Sequence, residues 1–330
     1  MFLRRFTCLL LLGVLTFGFI LTCSRNLNDS ATNLKQPMEN CLNVQHLMGE
    51  TCVPLNPQRV ITLWSSFLAN TLALGIKPIA TAYDLGLPFP EYLQDKVDKI
   101  ELIGSVNEPN LEKILLLKPD LILAHPYVPN IYYKHLSKIA PTVIIGHSDV
   151  GTRRWDQDLV DIAKILHQEE TFNKLMKEYW QYIEILKKAL NIGTASQNNN
   201  HCYQMQVSVA STNALSGIWS YGEKSPVGTV INDIGLQRPP SQKGDFYYVE
   251  NISEERLSDI DGDVLFFLSW GSRSAKEALE KLQKKPLWRQ LKAVQQNKTY
   301  IVDGSHWHDG DIMAVKAILD DLYKYLVKTP

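Results

Sequence analysis

Past residue 55 the apolar positions follow two rhythms. Short continuous runs at Arg59-Val60-Ile61-Thr62-Leu63, Pro78-Ile79-Ala80-Thr81-Ala82, Leu102-Ile103-Gly104, Leu121-Ile122-Leu123-Ala124 and Thr142-Val143-Ile144-Ile145 have the length and branched content of buried strands. Between them lie helical patterns: Phe67, Leu68, Thr71, Leu72 and Leu74, stopped by Gly75, and Leu111 to Leu117, capped by Asn110 and ended by Pro119. Apolar strands alternating with short helices predict a parallel sheet covered on both faces. The middle of the chain is helical. Leu159, Ile162 and Leu166 share one face, and Phe172, Leu175, Met176, Tyr179, Ile183, Leu186 and Leu190 continue at steps of three and four. That second run is roughly 20 residues, about 30 Å if unbroken. A polar stretch from Gly193 to Asn200 ends it. A second α/β half follows, with strands at Met205–Ala210, Val264–Leu268 and Thr299–Val302 and helices at Pro226–Ile234, Ser253–Leu257, Leu287–Leu291 and Ile312–Leu326. The predicted fold class is α/β: two parallel-sheet α/β lobes joined by a single long helix. Its boundaries are an N-terminal lobe over 41–168, a bridging helix over 169–191 and a C-terminal lobe over 192–330.

The first 40 residues obey neither rhythm. Arg4 and Arg5 precede an apolar run from Phe6 to Leu21, the charged and apolar regions of an export signal. The run is short for a permanent span. It ends at Ile20-Leu21-Thr22-Cys23, which resembles a bacterial lipobox with Cys23 as the lipidated residue, although Thr22 replaces the usual small residue. Residues 1–23 therefore read as a signal/lipoprotein segment, and 24–40, rich in Asn, Ser, Thr and Gln, as a flexible tether. Cys41 and Cys52 flank a segment in which Gly49 reads as a turn, and an oxidising compartment permits a disulfide between them. A metal site using His46 lacks further ligands at zinc-like spacing. Cys202 reads as a lone thiol.

Charge narrows the function. The formal net charge is −1, and the densest basic cluster, Lys281, Lys284 and Lys285, lies beside Glu277 and Glu280. That is a solvated helix face, not the basic stripe of a nucleic-acid binder. Ser305, His306 and Asp303 lie close in sequence, but neighbouring side chains on a strand point apart. There is no Gly-x-Ser-x-Gly elbow, Walker loop or His-Glu-x-x-His. A metal-assisted hydrolase using His125, His306 and His308 is the remaining enzyme reading, and a binding protein is preferred to it.

Several stretches, in order, carry a resemblance: Pro57-Gln58-Arg59-Val60-Ile61-Thr62-Leu63, Ala73-Leu74-Gly75-Ile76-Lys77-Pro78, Ile103-Gly104 with Pro109-Asn110-Leu111-Glu112-Lys113-Ile114, Lys118-Pro119-Asp120-Leu121-Ile122-Leu123, Ile234-Gly235-Leu236-Gln237-Arg238-Pro239 and Leu287-Trp288-Arg289-Gln290-Leu291. From Val44 to Leu326 the chain resembles the periplasmic substrate-binding proteins of ABC importers for iron siderophores and cobalamin, the helical-bridge or class III family. The Cys41–Cys52 segment and Tyr300 to Trp307 look most like its cyanobacterial ferric siderophore-binding branch. The resemblance implies a monomeric, non-enzymatic protein of the periplasm with no intrinsic cofactor. It would be lipid-anchored to the cell membrane, with inner-membrane permease subunits and an Fe(III)-siderophore as partners. Cobalamin, haem and ferric iron are the alternative ligands.

It also implies a cleft between the lobes, lined by loops at strand ends. Those loops carry Trp64, Ser65 and Ser66; His125, Pro126 and Tyr127; Trp219, Tyr221 and Lys224; Ser269, Trp270 and Arg273; and His306, Trp307 and His308. The ligand-binding residues expected are Trp64, Ser65, Tyr127, Trp219, Tyr221, Trp270, Arg273, His306 and Trp307, with Arg153 and Arg154 as weaker candidates. Aromatic walls suit a bulky, partly apolar chelate. In a siderophore the chelator supplies the iron's oxygens, so no protein metal ligand is expected, although His125, Tyr127, His306 and His308 would be the set for direct binding. By the same resemblance Glu112 and Glu255 dock the permease, with Glu254 as the alternative in the second lobe. As carboxylates at helix starts they would also favour the helix dipole.

Overall fold

The computed structural model describes residues 41–83, 89–146, 153–193, 205–213, 217–270 and 273–328. Cys23 and Cys202 lie outside the described residues. The main compact unit runs from Leu42 to Pro330. It opens with a hairpin of β1 (Cys41–His46) and β2 (Gly49–Pro54), where Gly49 takes a φ of 120° in the turn. Cys41 and Cys52 are disulfide-bonded there.

The first half alternates β3 (Val60–Leu63), α1 (Ser65–Ala73), β4 (Ala80–Tyr83), β5 (Glu101–Ser105), α2 (Leu111–Leu117), β6 (Leu121–Ala124), α3 (Asn130–Ile139) and β7 (Thr142–Ile144). Its five strands pair in the order β5-β4-β3-β6-β7, all parallel. β3 and β6 are buried along their whole length, as strands covered on both faces must be. The Asn110 side chain accepts from the Lys113 N–H and caps α2, as its position predicts. Helix α3 has no counterpart in the periodicity reading, because Leu136 is its one buried residue and Ile131 faces water.

Helices α4 (Trp155–Ile165) and α5 (Glu169–Ala189) lead to the second half. The second sheet corrects the expectation of two parallel sheets. Its order is β10-β9-β8-β11-β12, and only β8 (Val207–Asn213), β11 (Val264–Ser269) and β12 (Thr299–Asp303) run parallel. β9 (Gly217–Tyr221) runs antiparallel to β8 and to β10 (Tyr248–Ile252). The link between β8 and β9 is far too short for a crossover, so the chain can only return antiparallel. Trp219 and Tyr221 therefore lie on a strand rather than in a loop. Helices α6 (Pro226–Ile234), α7 (Arg273–Gln283), α8 (Gly304–His308) and α9 (Ile312–Tyr323) complete this half. Ser305 and His306 lie in α8, not on a strand.

One apolar core serves both sheets. It joins Val60, Leu121 and Leu123 of the first to Val207, Val209 and Phe266 of the second, through Tyr179, Ile183 and Leu186 of α5 and Val315, Ile318 and Leu322 of α9. Helix α9 packs against α1, α4, α5 and α6, so the C-terminal helix is a second tie between the halves beside α5. The Ile312 N–H donates to Asn70 Oδ1 at 3.2 Å, fixing the start of α9 on α1.

A polar knot sits where the halves meet. Arg154 forks onto Asp233 of α6, with Nη1 donating to Oδ1 at 2.9 Å and Nη2 to Oδ2. The Tyr179 hydroxyl on α5 donates to the same carboxylate, and the guanidinium lies 5.6 Å from the Trp180 ring. The bidentate fork holds the guanidinium in its charged form. The pair is half-screened by solvent, so its loss falls between the fraction of a kcal/mol of an exposed pair and the cost of a buried one. Asp233→Ala is expected to lower unfolding free energy by about 2 kcal/mol. Urea titration checks this; an unchanged midpoint would show that the knot adds nothing to the apolar core.

Candidate ligand cleft

Each side of the cleft is built from strand ends. Trp64 follows β3 with extended backbone, φ −164° and ψ 141°, before Ser65 starts α1. Its indole stacks on His125 after β6, with ring centroids 4.4 Å apart, and meets Tyr127 edge-on at 5.6 Å. His125 and Tyr127 are 4.5 Å apart. The turn is closed by Val128 N–H to His125 O at 3.0 Å. The Tyr127 N–H also donates to His125 Nδ1 at 3.3 Å, which selects the neutral imidazole carrying its proton on Nε2. Burial first, and then Arg153, lower the His125 pKa to about 4. Tyr127 stays 43% exposed, the open edge of this aromatic group.

The opposing group comes from the second sheet. Trp219 and Tyr221 alternate along β9 and so share a face. The Tyr221 hydroxyl meets His308 Nδ1 at 2.9 Å, and His308 lies 5.2 Å from the Trp270 ring. Tyr247 donates to the His308 carbonyl at 3.3 Å and packs edge-on against Tyr248. Trp270 lies flat over Gly304, where a Cβ would come within 2.8 Å of the ring, so a side chain there would displace the indole. The Trp270 Nε1–H is buried and finds no acceptor among the described residues. Tyr127 and Tyr248, one from each group, lie within electrostatic range of each other. The Tyr127 hydroxyl is raised above its usual range by partial burial and then by Tyr248, and Tyr247 responds to Tyr127 in turn.

Several expected residues fall elsewhere. Trp307 is fully buried, stacks on Phe266 at 4.6 Å and donates its indole N–H to Asp321 Oδ2 at 2.8 Å. It is a core residue, because α8 turns it beneath the sheet. Tyr221 is likewise fully buried, and it supports His308 rather than the cleft surface. His306 is turned to Asp321, with Nε2 at 2.9 Å from Oδ2, and to Asp303. Arg273 starts α7 with its side chain 93% exposed and paired with Glu277, away from any wall. Arg153 and Arg154 are engaged by Asp158 and Asp161 and by Asp156 and Asp233. Ser65 is half-buried at the start of α1. Tyr247 and Tyr248 escaped the sequence reading because β10 did; the Tyr-Tyr pair before an apolar residue was the available signal. His125, His306 and His308 do not gather at one point, and among the described residues no three His, Cys, Asp or Glu side chains form a metal-holding group.

Comparison with known proteins shows the family. A sequence profile of the periplasmic binding protein family matches residues 60–305. The chain belongs to that family. A probable siderophore-binding lipoprotein of Bacillus subtilis, YfiY, is 29% identical over 97% of this chain and 98% of its own. The Fe(3+)-citrate-binding protein YfmC of the same organism is 30% identical over 86% of this chain and 85% of its own. The crystal structure of Staphylococcus aureus SirA complexed with staphyloferrin B superposes with a TM-score of 0.72 at 25% identity, covering 86% of this chain and 98% of that one. The family is one of substrate-binding proteins, and its two-lobed class III architecture is the one described above.

Three histidines set a pH profile. Burial alone would lower His306, but hydrogen bonds to Asp303 and Asp321 outweigh it and raise the pKa from 6.5 to about 9. Its stabilising contribution is complete below pH 6.5 and is lost as pH rises through 9. His125 and His308, lowered to about 4 mainly by burial, contribute above 6.5 and lose that contribution as pH falls through 4. Buried Asp311, raised from 3.8 to about 6, partly offsets them on the acid side. The melting temperature is expected to peak near pH 6.5 and fall towards pH 9, and His306→Gln should flatten the alkaline limb. An alkaline limb unchanged in the variant would remove His306 as its cause.

Proposed function

We propose that this chain is the substrate-binding component of an ABC importer, capturing a ferric siderophore in the cleft and delivering it to a membrane permease. The two aromatic groups carry the reading. Trp64, His125 and Tyr127 on one side and Tyr247, Tyr248 and Trp270 on the other offer rings and hydrogen-bond donors to a bulky organic chelate. YfiY, YfmC and SirA support it through the ligands in their names. The protein acts by binding and release, not by catalysis. It works outside the cytoplasm, tethered to the membrane through lipid on Cys23.

Docking uses the outer faces. Glu112 lies exposed in the first turn of α2, followed by Leu115 and Leu116, the latter 79% exposed. In the second half Glu254 pairs with Lys285, which makes the exposed Glu255 the carboxylate offered to the permease. The two apolar residues beside Glu112 give that contact a desolvated centre.

The first test is tryptophan quenching by ferric schizokinen, ferric citrate, ferric enterobactin, cobalamin, haem and simple ferric salt. Saturation by a ferric siderophore at sub-micromolar concentration, about −8 kcal/mol or stronger, is expected. Saturation by cobalamin, haem or free ferric ion instead would refute the siderophore reading. Trp64→Ala should weaken binding at least about tenfold with the fold intact, since it removes a wall of stacked rings. Trp307→Ala should instead lower stability by about 3–5 kcal/mol, the cost of a core cavity. Loss of binding without loss of stability in Trp307→Ala would return that residue to the cleft. Glu112→Ala combined with Glu255→Ala is expected to leave affinity unchanged and to abolish uptake by cells expressing the importer. Normal uptake would move docking elsewhere.

A further inference from the structure

Ferric chelates differ sharply in charge. Each hydroxamate brings a single negative charge, so a trihydroxamate cancels the charge of the iron. Each catecholate brings two, and a triscatecholate remains strongly anionic, as citrate complexes do. A strongly anionic chelate that leaves water needs unmatched cations at its surface, because an unpaired charge in an apolar cleft is costly.

Among the described residues, the cations bordering this cleft are already matched. Arg153 pairs with Asp158 and Asp161, Arg154 with Asp156 and Asp233, and Lys224 with Asp245. The groove of about 420 Å³ between Arg153, Arg154 and Lys224 is also lined by Glu223, Asp233 and Asp245, so its charges offset one another. His125 and His308 are held neutral at physiological pH by burial. What the described wall does present is rings and a phenol: the Trp64 and Tyr127 faces, with Tyr127 at the exposed edge. Neutral donors suit the carbonyl and oxime-type oxygens of a hydroxamate chelate.

Building on the siderophore reading, we infer that the cleft selects ferric chelates of near-zero net charge, the hydroxamate class, and discriminates against strongly anionic ones. Selection of this kind works through the missing partner: an anionic chelate would have to break an existing ion pair to obtain a cation.

The test measures fluorescence quenching of the full chain in nonionic detergent by ferrichrome, ferrioxamine B, ferric enterobactin and ferric citrate, from about 20 to about 500 mM salt. A hydroxamate chelate is expected to bind at least about tenfold tighter than either anionic one, with a Kd that changes by less than about twofold across the salt range. Tyr127→Arg, at an exposed position, adds an unmatched cation and is expected to strengthen ferric enterobactin or citrate binding at least about tenfold. Tighter binding of an anionic chelate, weakening steeply with salt, would overturn the charge assignment and leave the siderophore function standing. Silence towards every ferric chelate would overturn both.

Discussion

The structure depends on one continuous apolar core that passes from the first sheet to the second through α4, α5 and α9. Separate lobes on a flexible link would each keep their own core and move freely. Here Val60 and Leu123 of one sheet and Val209 and Phe266 of the other belong to the same packed interior, and close packing resists shear. The cleft is therefore held near one geometry. A ligand can ask for small adjustments at its aromatic rims, not for a wide swing of one half against the other.

The polar contacts between the halves follow the same logic. Arg154, Asp233 and Tyr179 come from the segment before α4, from α6 and from α5, and they converge on one carboxylate. Tyr92 makes a comparable contact on the other side, its hydroxyl 2.7 Å from Asp311 and 3.0 Å from Asp309. Asp311 in turn caps α9 by accepting from the N–H groups of Met313 and Ala314. The helix that ties the halves is thus anchored at its start by a residue of the first half. Asp311 is fully buried, and each of these groups is partnered.

Function sits on this frame at the strand ends, where backbone direction rather than packing decides what faces outward. Trp64 and Trp270 are comparable residues just after parallel strands, β3 and β11, and both keep part of their surface open. Trp307 follows β12 by only a few residues and does not, because α8 begins at once and rotates its indole onto Phe266. Among the described residues, Arg153, Arg154 and Lys224 each have carboxylate partners.

The apolar rhythm of the chain determined most of the elements. Runs such as Val60–Leu63 and Leu121–Ala124 read as strands buried on both faces, and the period from Phe172 to Leu186 as a long amphipathic helix, and the structure has both. Short-range chemistry also showed through: the Asn110 cap, and the turn at Gly49 that lets Cys41 and Cys52 meet. Sequence missed α3, β9 and β10: α3 has only a short apolar stripe, Tyr132, Leu136 and Ile139, and β10 is largely exposed. It could not tell which aromatics line the cleft. Trp64, Tyr221 and Trp307 are equally aromatic and equally near a strand, yet one forms a wall and two are fully buried. It also could not show that Arg153 and Arg154 are spoken for, since Asp233 lies 79 residues beyond Arg154. Burial and long-range pairing are properties of the assembled core, and they become definite only when α5 and α9 bring the two sheets together.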